Sequence, residues 1–441
     1  MTGTGKQKQA VILSGGGANG AYEVGVLKAL CAGRSISTQY APLEPDIFTG
    51  TSVGSFNAAF LVSLWDTHGQ ASVSNLETVW LTRLAREGRL SLANNGYRYL
   101  ANPFEFLDPR RFFIDPIGSV SRFASDSLFL FGDFFNRLLY VVNSPEKEPV
   151  MERVLHTLAI DNFITREPFN RLIREIIKFD AIRRTKKVLR VAATNWETGD
   201  VELFINDDFT DKLGPRIILA SSALPGFFSP ETVGAQPFVD GAVLMNTPLR
   251  PAIKAMADSL HVVYLDPDVS SIPIHYLSNI LSTLYRTQVI NWAATVNAAI
   301  REAEGVNNAL TLIGKVQSES DLKGVSTQEV IQALARFGKR AGKIGQYRML
   351  TIHRYHPRDE LGGPVSLLDL RRGRIEYLIE RGFHDAVTHD CTISHCVIPE
   401  ETDSEHDSEI TTIEYDYAKA GTEERDATVF TSEGLKEEGT N

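Results

Sequence analysis

The stretch Ile47-Phe48-Thr49-Gly50-Thr51-Ser52-Val53-Gly54-Ser55-Phe56-Asn57-Ala58-Ala59 constrains this chain more than any other. β-Favouring residues run into Gly50-Thr51-Ser52-Val53-Gly54, after which small residues carry an apolar stripe. The pattern predicts a buried strand, a sharp turn and a helix. A Gly-x-Ser-x-Gly turn at such a junction crowds its neighbours, so glycines are needed two residues to either side. The serine is left on strained backbone beside the first N–H groups of the helix. Those N–H groups favour negative charge. Ser52 is the candidate nucleophile, and Gly50, Thr51, Val53 and Gly54 form the elbow around it. A Gly/Ser-rich turn without chemistry carries the same pattern, so the assignment depends on the rest of the chain.

A second glycine stretch precedes it. Ala10-Val11-Ile12-Leu13 reads as an apolar strand, followed by Ser14-Gly15-Gly16-Gly17-Ala18-Asn19-Gly20 and a segment with Tyr22, Val26, Leu27 and Leu30 on one helical face. Consecutive amides without Cβ atoms can share a concavity and hold an anion. Gly15, Gly17 and Gly20 fit the spacing of a dinucleotide fingerprint, but that motif requires an acid about 20 residues on, at the end of the second strand. Glu44 and Asp46 come before the elbow strand, not after one. No Gly-Lys-Ser/Thr follows, which excludes a Walker loop. The other reading makes residues 15 to 20 an oxyanion hole for the serine, and it accounts for both motifs occurring in one chain.

The chain's 441 residues carry a net charge of -10, distributed unevenly. Of 45 basic and 55 acidic residues, 3 and 14 lie beyond position 398, leaving 42 basic and 41 acidic in the body. The acidity belongs to the tail, and no basic excess points to nucleic acid. Cys31, Cys391 and Cys396 make no disulfide framework and fit a reducing compartment. There is no signal-peptide apolar region and no apolar run near the ~20 residues needed to span a bilayer. A cytoplasmic protein, peripheral at membranes, is expected.

Strands near 187–195, 201–205, 238–242 and 260–265 alternate with helical segments, which predicts an α/β fold with a mostly parallel sheet covered on both faces. Residues 10–265 read as the main domain, with a Phe-rich insertion over about 66–155 that suits either an aromatic lid or a satellite core. Residues 266–398 read as a mainly helical extension packed on it. The acidic, Ser/Thr-rich 399–441 reads as a disordered tail.

A serine hydroxyl needs a base and a stabilised oxyanion. Asp240, closing the apolar run Phe238-Val239 and followed by Gly241-Ala242, is the leading base. Three ordered signatures, Gly15 to Gly20, Gly50 to Gly54 and Asp240-Gly241-Ala242, resemble those of the patatin-like phospholipases. Ala193-Thr194-Asn195, Ser221-Ser222-Ala223-Leu224-Pro225-Gly226-Phe227-Phe228 and Val239 to Leu249 are similar to that family as well. The resemblance implies a three-layer α/β/α domain and a Ser52–Asp240 dyad. It also implies an oxyanion hole from the amides of Gly16, Gly17 and Ala18, and hydrolysis of phospholipid or lysophospholipid acyl esters through an acyl-serine, without a cofactor.

Alternatives remain open. An acyltransferase would use the same acyl-serine, and a non-catalytic scaffold or nucleotide-binding module would use the glycine loop alone. His261, His275, His353, His356 and His384 follow Asp240 and keep a Ser…Asp…His triad formally available. Family members often carry Arg or Lys where this chain has Asn19. His389, Cys391, His395 and Cys396 lie close in sequence, but their spacing fits no standard zinc pattern, and no metal is expected. The sequence leaves an activating protein and the oligomeric state open.

Overall fold

The computed structural model describes residues 7–85, 98–99, 164–225, 227–266, 269, 280–317, 348–359, 361 and 364–399. Residues 86–97 and 100–155 of the Phe-rich insertion and residues 400–441 of the acidic tail fall outside this set. The chain through Pro399 forms one compact unit. Its centre is an eight-stranded sheet of order β10-β9-β1-β2-β5-β8-β7, with β6 (Val201–Ile205) also paired to β5. Strands β10 (Thr351–Tyr355), β9 (Ser259–Val263), β1 (Gln9–Leu13), β2 (Ile47–Thr51) and β5 (Val188–Asn195) run parallel.

The far side of the sheet is antiparallel. Asn195 to Asp200 turns the chain from β5 back into β6, and Gly234, at φ +66, turns β7 (Glu231–Val233) into β8 (Gln236–Asp240). The sheet is thus mixed, parallel on one side and antiparallel on the other. The small ladder β3 (Arg98–Tyr99) with β4 (Ile164–Thr165) lies apart.

Strand β1 shows why three layers form. Val11 and Leu13 pack into one core while Ala10 and Ile12 pack into another, all fully buried. A period of two with both sets apolar needs a helical layer on each face. One face carries α1 (Gly20–Cys31), α2 (Val53–His68), α3 (Ala71–Val79), α4 (Glu167–Ile176), α5 (Phe179–Arg184), α6 (Gly214–Ser221) and α9 (Arg372–Val387). The other carries α7 (Leu249–Lys254) and α8 (Ile280–Gln317). Helix α4 ends at Ile176 and α5 starts at Phe179, so the apolar periodicity of residues 169–179 is shared between two helices.

The segment beyond 266 supplies both β10 and α9. Helices α1 and α9 approach at their backbones: a Cβ on Gly25 would strike the Ile379 carbonyl, and one on Gly382 the Tyr22 carbonyl. Tyr22 then donates its hydroxyl to Asp385 at 3.2 Å, and Arg381 reaches the same carboxylate at 3.0 Å. Gly382→Ala is expected to force the helices apart and cost about 1–3 kcal/mol. A urea unfolding midpoint equal to wild type would refute that close approach. Among the described residues, no helix is long and apolar enough to cross a membrane.

Candidate active site

Ser52 is the single residue between β2 and α2, and it holds φ 55, ψ -125. Only glycine occupies that region without strain. Several bonds hold the turn. The Ser52 N–H donates to Ser221 Oγ at 2.9 Å, and that hydroxyl donates to the Ala192 carbonyl at 2.7 Å. The Ser52 carbonyl accepts the Ser55 N–H at 3.0 Å and its hydroxyl at 2.5 Å. Backbone packs against backbone on both sides: a Cβ on Gly50 would meet the Gly54 carbonyl, and one on Gly54 the Leu13 carbonyl. Gly50 and Gly54 are therefore required by contact with the turn itself and with the end of β1.

The neighbouring loop leaves β1 at Leu13 and forms a short 3-10 turn, Gly17–Asn19, before α1. Gly17 takes φ +55, and the Leu367 carbonyl fills the place of its Cβ. The Gly15 N–H donates to the Asn246 carbonyl and the Asn19 N–H to the Gly16 carbonyl, each at 3.1 Å, while Gly20 closes onto Gly17 and Ala18. These turn bonds do not use the amides of Gly16, Gly17 and Ala18, and all three residues line the pocket that contains Ser52. Behind the loop, fully buried Glu23 accepts from Asn57 at 2.8 Å, and desolvation pushes its carboxyl well above the usual range. Asn57 also donates to the Gly20 carbonyl and accepts from Trp80, tying α1 to α2.

Asn19 is buried, and its Oδ1 accepts from the Arg374 guanidinium at 2.9 Å. The cation absent from position 19 is thus delivered to it by α9, 355 residues later. Arg374 also donates to the Leu361 carbonyl and lies 3.8 Å from Asp369.

Sheet register sets the place of Asp240. Thr51 is paired with Ala192 and Asp240 with the next residue, Ala193; β6 takes the other side of β5, so β2 and β8 meet end to end along one side of it and the elbow and the carboxylate become neighbours. Asp240 is 1% exposed, and the Ala242 N–H caps its Oδ1 at 2.8 Å. Burial pushes its carboxyl up to about 7, against the opposing pull of the Ala242 amide, the Ser52 hydroxyl and the Arg166 guanidinium. A Cβ on Gly241 would meet the Ala192 carbonyl, so glycine is needed where the chain turns off β8. The following loop is stitched to the strand ends by hydroxyls: Thr51 to the Met245 carbonyl and Thr49 to the Pro248 carbonyl at 2.9 Å, and Ser14 with Thr247 at 2.8 Å.

The pocket around Ser52 and Asp240 is walled by apolar groups such as Phe56, Phe169, Phe227, Phe228, Leu367 and Trp292. No histidine is among its described lining residues. His261 and His353 instead stack on each other at 5.1 Å, His356 stacks on Tyr264, and His384 is exposed. Asp46 accepts the Gln9 N–H before β2 begins, at the opposite end of the strands from Ser52 and not where a dinucleotide fingerprint needs its acid.

Ser221 falls in the family-like stretch but its role was not marked there, and two groups of the site, Arg166 and Trp292, carried no local sequence signal. Arg166 stands over the Phe228 ring at 4.9 Å and donates to the Leu219 carbonyl. Trp292 donates to the Ala242 carbonyl at 2.5 Å, bracing the loop after Asp240 from α8.

A strained strand–turn–helix serine thus shares an apolar pocket with a buried carboxylate, on a sheet that helices cover on both faces. The chain belongs to the patatin-like phospholipase family, whose model matches residues 11–253. The family is one of lipid-directed hydrolases. No curated protein matches the sequence significantly. Among solved structures, the crystal structure of VipD from Legionella pneumophila is similar at 13% identity and a TM-score of 0.29. That likeness covers 86% of this chain and 67% of that one.

Proposed function

We propose that this chain is a serine lipid acyl hydrolase acting on phospholipid or lysophospholipid esters at a membrane surface, from the cytoplasm. Ser52 Oγ attacks the ester carbonyl while Asp240 takes its proton. The amides of Gly16, Gly17 and Ala18 receive the oxyanion, and Asp240 returns the proton to the departing alcohol. Water, deprotonated by the same carboxylate, then releases the fatty acid from Ser52. The observation that carries this reading is the pairing of a strained Ser52 with an Asp240 pushed up to about 7 in one apolar pocket. An ordinary aspartate, near 4, is too weak a base for a serine proton, whereas a desolvated one is matched to neutral pH. The aromatic walls suit an acyl chain. Arg374, through Asn19, adds positive charge behind the oxyanion side without occupying it.

The test is covalent. Wild-type protein treated with a fluorophosphonate ester, alone and on phosphatidylcholine vesicles, is expected to carry one adduct, which peptide mass spectrometry places on Ser52. An adduct on another serine, or none under either condition, rejects the assignment. Fatty-acid release measured with and without a glycerol or thiol acceptor separates hydrolysis from acyl transfer.

A further inference from the structure

Away from this pocket, four side chains converge at the β10 edge of the sheet. His353 lies on β10, and His389, Cys391 and Cys396 lie on the tight loop after α9. One ligand atom from each falls within 4.8 Å of all the others. Cys391 Sγ is 3.6 Å from His353 Nδ1, and Cys396 Sγ is 3.3 Å from His389 Nε2. A tetrahedral site with Zn–S near 2.3 Å and Zn–N near 2.0 Å has S···N edges of about 3.5 Å. Both measured pairs already have that spacing. We propose that His353, His389, Cys391 and Cys396 form a structural zinc site that clasps the C-terminal segment to the edge of the sheet.

The surroundings fit this use. The Arg354 N–H donates to Cys396 Sγ at 3.3 Å, the kind of backbone bond that stabilises a metal-bound thiolate. His389 turns its other nitrogen, Nδ1, toward Ser394 Oγ at 3.5 Å, leaving Nε2 on the cluster side. The loop is pre-shaped: Asp390 Oδ1 accepts the Thr392 and Ile393 N–H groups, and the Cys396 N–H donates to the Cys391 carbonyl at 2.9 Å. It closes by a two-bond bridge between Val397 and Ile352. His353 and His389 are largely buried, whereas the cysteines are half-buried and unbridged. Two thiol protons leave as the ion binds, so a dication with two thiolates and two neutral imidazoles is uncharged overall, as a buried site requires. An S2N2 donor set with four protein ligands and no vacant position suits structural zinc, not a catalytic metal or magnesium.

Sequence spacing pointed to His395 as the fourth ligand and hence to no recognisable pattern. The fold supplies His353 instead, 36 positions before His389, and His395 is left outside at φ +51. The clasp encloses α9, the helix that braces α1 and carries Arg374 to Asn19. The ion would thereby stiffen the support of the glycine loop without touching the reaction.

The test is metal content of the full chain, purified reduced and without chelator and then offered equimolar zinc. Wild type and His395→Ala are expected to retain about one zinc per chain, and Cys391→Ser/Cys396→Ser none. A chelator should lower the wild-type melting temperature, and zinc but not magnesium should restore it. Should the double variant fail to fold, cobalt substitution of wild type gives an independent reading: tetrahedral ligand-field bands with a thiolate charge-transfer band support the site. Wild type that retains no zinc, a double variant that retains it, cobalt spectra lacking thiolate transfer, or a Cys391–Cys396 disulfide in the freshly isolated reduced protein each overturns it.

Discussion

Ser52→Gly is expected to give a protein that neither reacts with a phosphonate nor releases fatty acid, and that is nonetheless more stable than wild type. Ser52 sits at φ 55, ψ -125, where a side chain costs on the order of 1–3 kcal/mol and glycine costs nothing. Glycine gives back roughly 0.5–1 kcal/mol through the greater freedom of the unfolded chain, so the net gain should be about 1 kcal/mol. The bonds that fix the turn, from the Ser52 N–H to Ser221 Oγ and from Ser55 to the Ser52 carbonyl, do not involve the lost hydroxyl. Ser52→Ala makes the comparison clean, since it removes the same hydroxyl and keeps the strain. It should be equally inert without the gain. Chemical denaturation of the three proteins decides the matter. If the glycine variant is no more stable than the alanine variant, strain is not what the turn stores. If either variant still forms the phosphonate adduct at the wild-type rate, Ser52 is not the nucleophile.

What the sequence made legible, and what it hid, follows from where each constraint acts. Strands β1, β2 and β5 were readable because they are mostly buried and each carries an apolar run, Ala10 to Leu13, Ile47-Phe48 and Val191 to Ala193. Strand β10 was not, because Thr-Ile-His-Arg-Tyr places His353 and Arg354 at buried positions, where polarity argues against a core strand. Those positions are satisfied only in three dimensions, His353 stacked on His261 and Arg354 donating to Asn297 on α8. The same division holds in the site. Glycine punctuation announces Ser52, the 15–20 loop and Asp240, because backbone-on-backbone contacts demand it locally. Arg166 and Arg374 come from a helix start and a helix, where an arginine looks like any surface residue. The antiparallel pairing of β6 follows from the short connection Asn195 to Asp200, but the pairing of β8 against β5 depends on a crossover that no local pattern encodes.

Asp240→Asn is expected to lower the rate of Ser52 acylation by about a thousandfold, the middle of the range for losing a positioned general base. Asparagine keeps the shape and the bond from the Ala242 N–H, so the loop to Pro248 should stay in place. The wild-type rate should climb with pH and level off, with its midpoint near 7, because only the ionised carboxylate accepts the serine proton and burial has raised its pKa to about 7. The variant should show no such rise. Stability should move in the opposite sense. The folded protein holds the Asp240 proton up to about pH 7, whereas the unfolded chain releases it near 4. The stabilising contribution is therefore full below about 4 and is lost as pH rises through about 7. Asp240→Asn lacks that loss, so at pH 8 it should be at least as stable as wild type while nearly inactive. Desolvation that makes the carboxylate basic enough for catalysis is the same desolvation that makes its charge costly, so the two effects cannot be separated. A variant that is inactive because it has unfolded at pH 8, or a wild-type rate profile that is flat from pH 5 to 8, would remove Asp240 from the role of base.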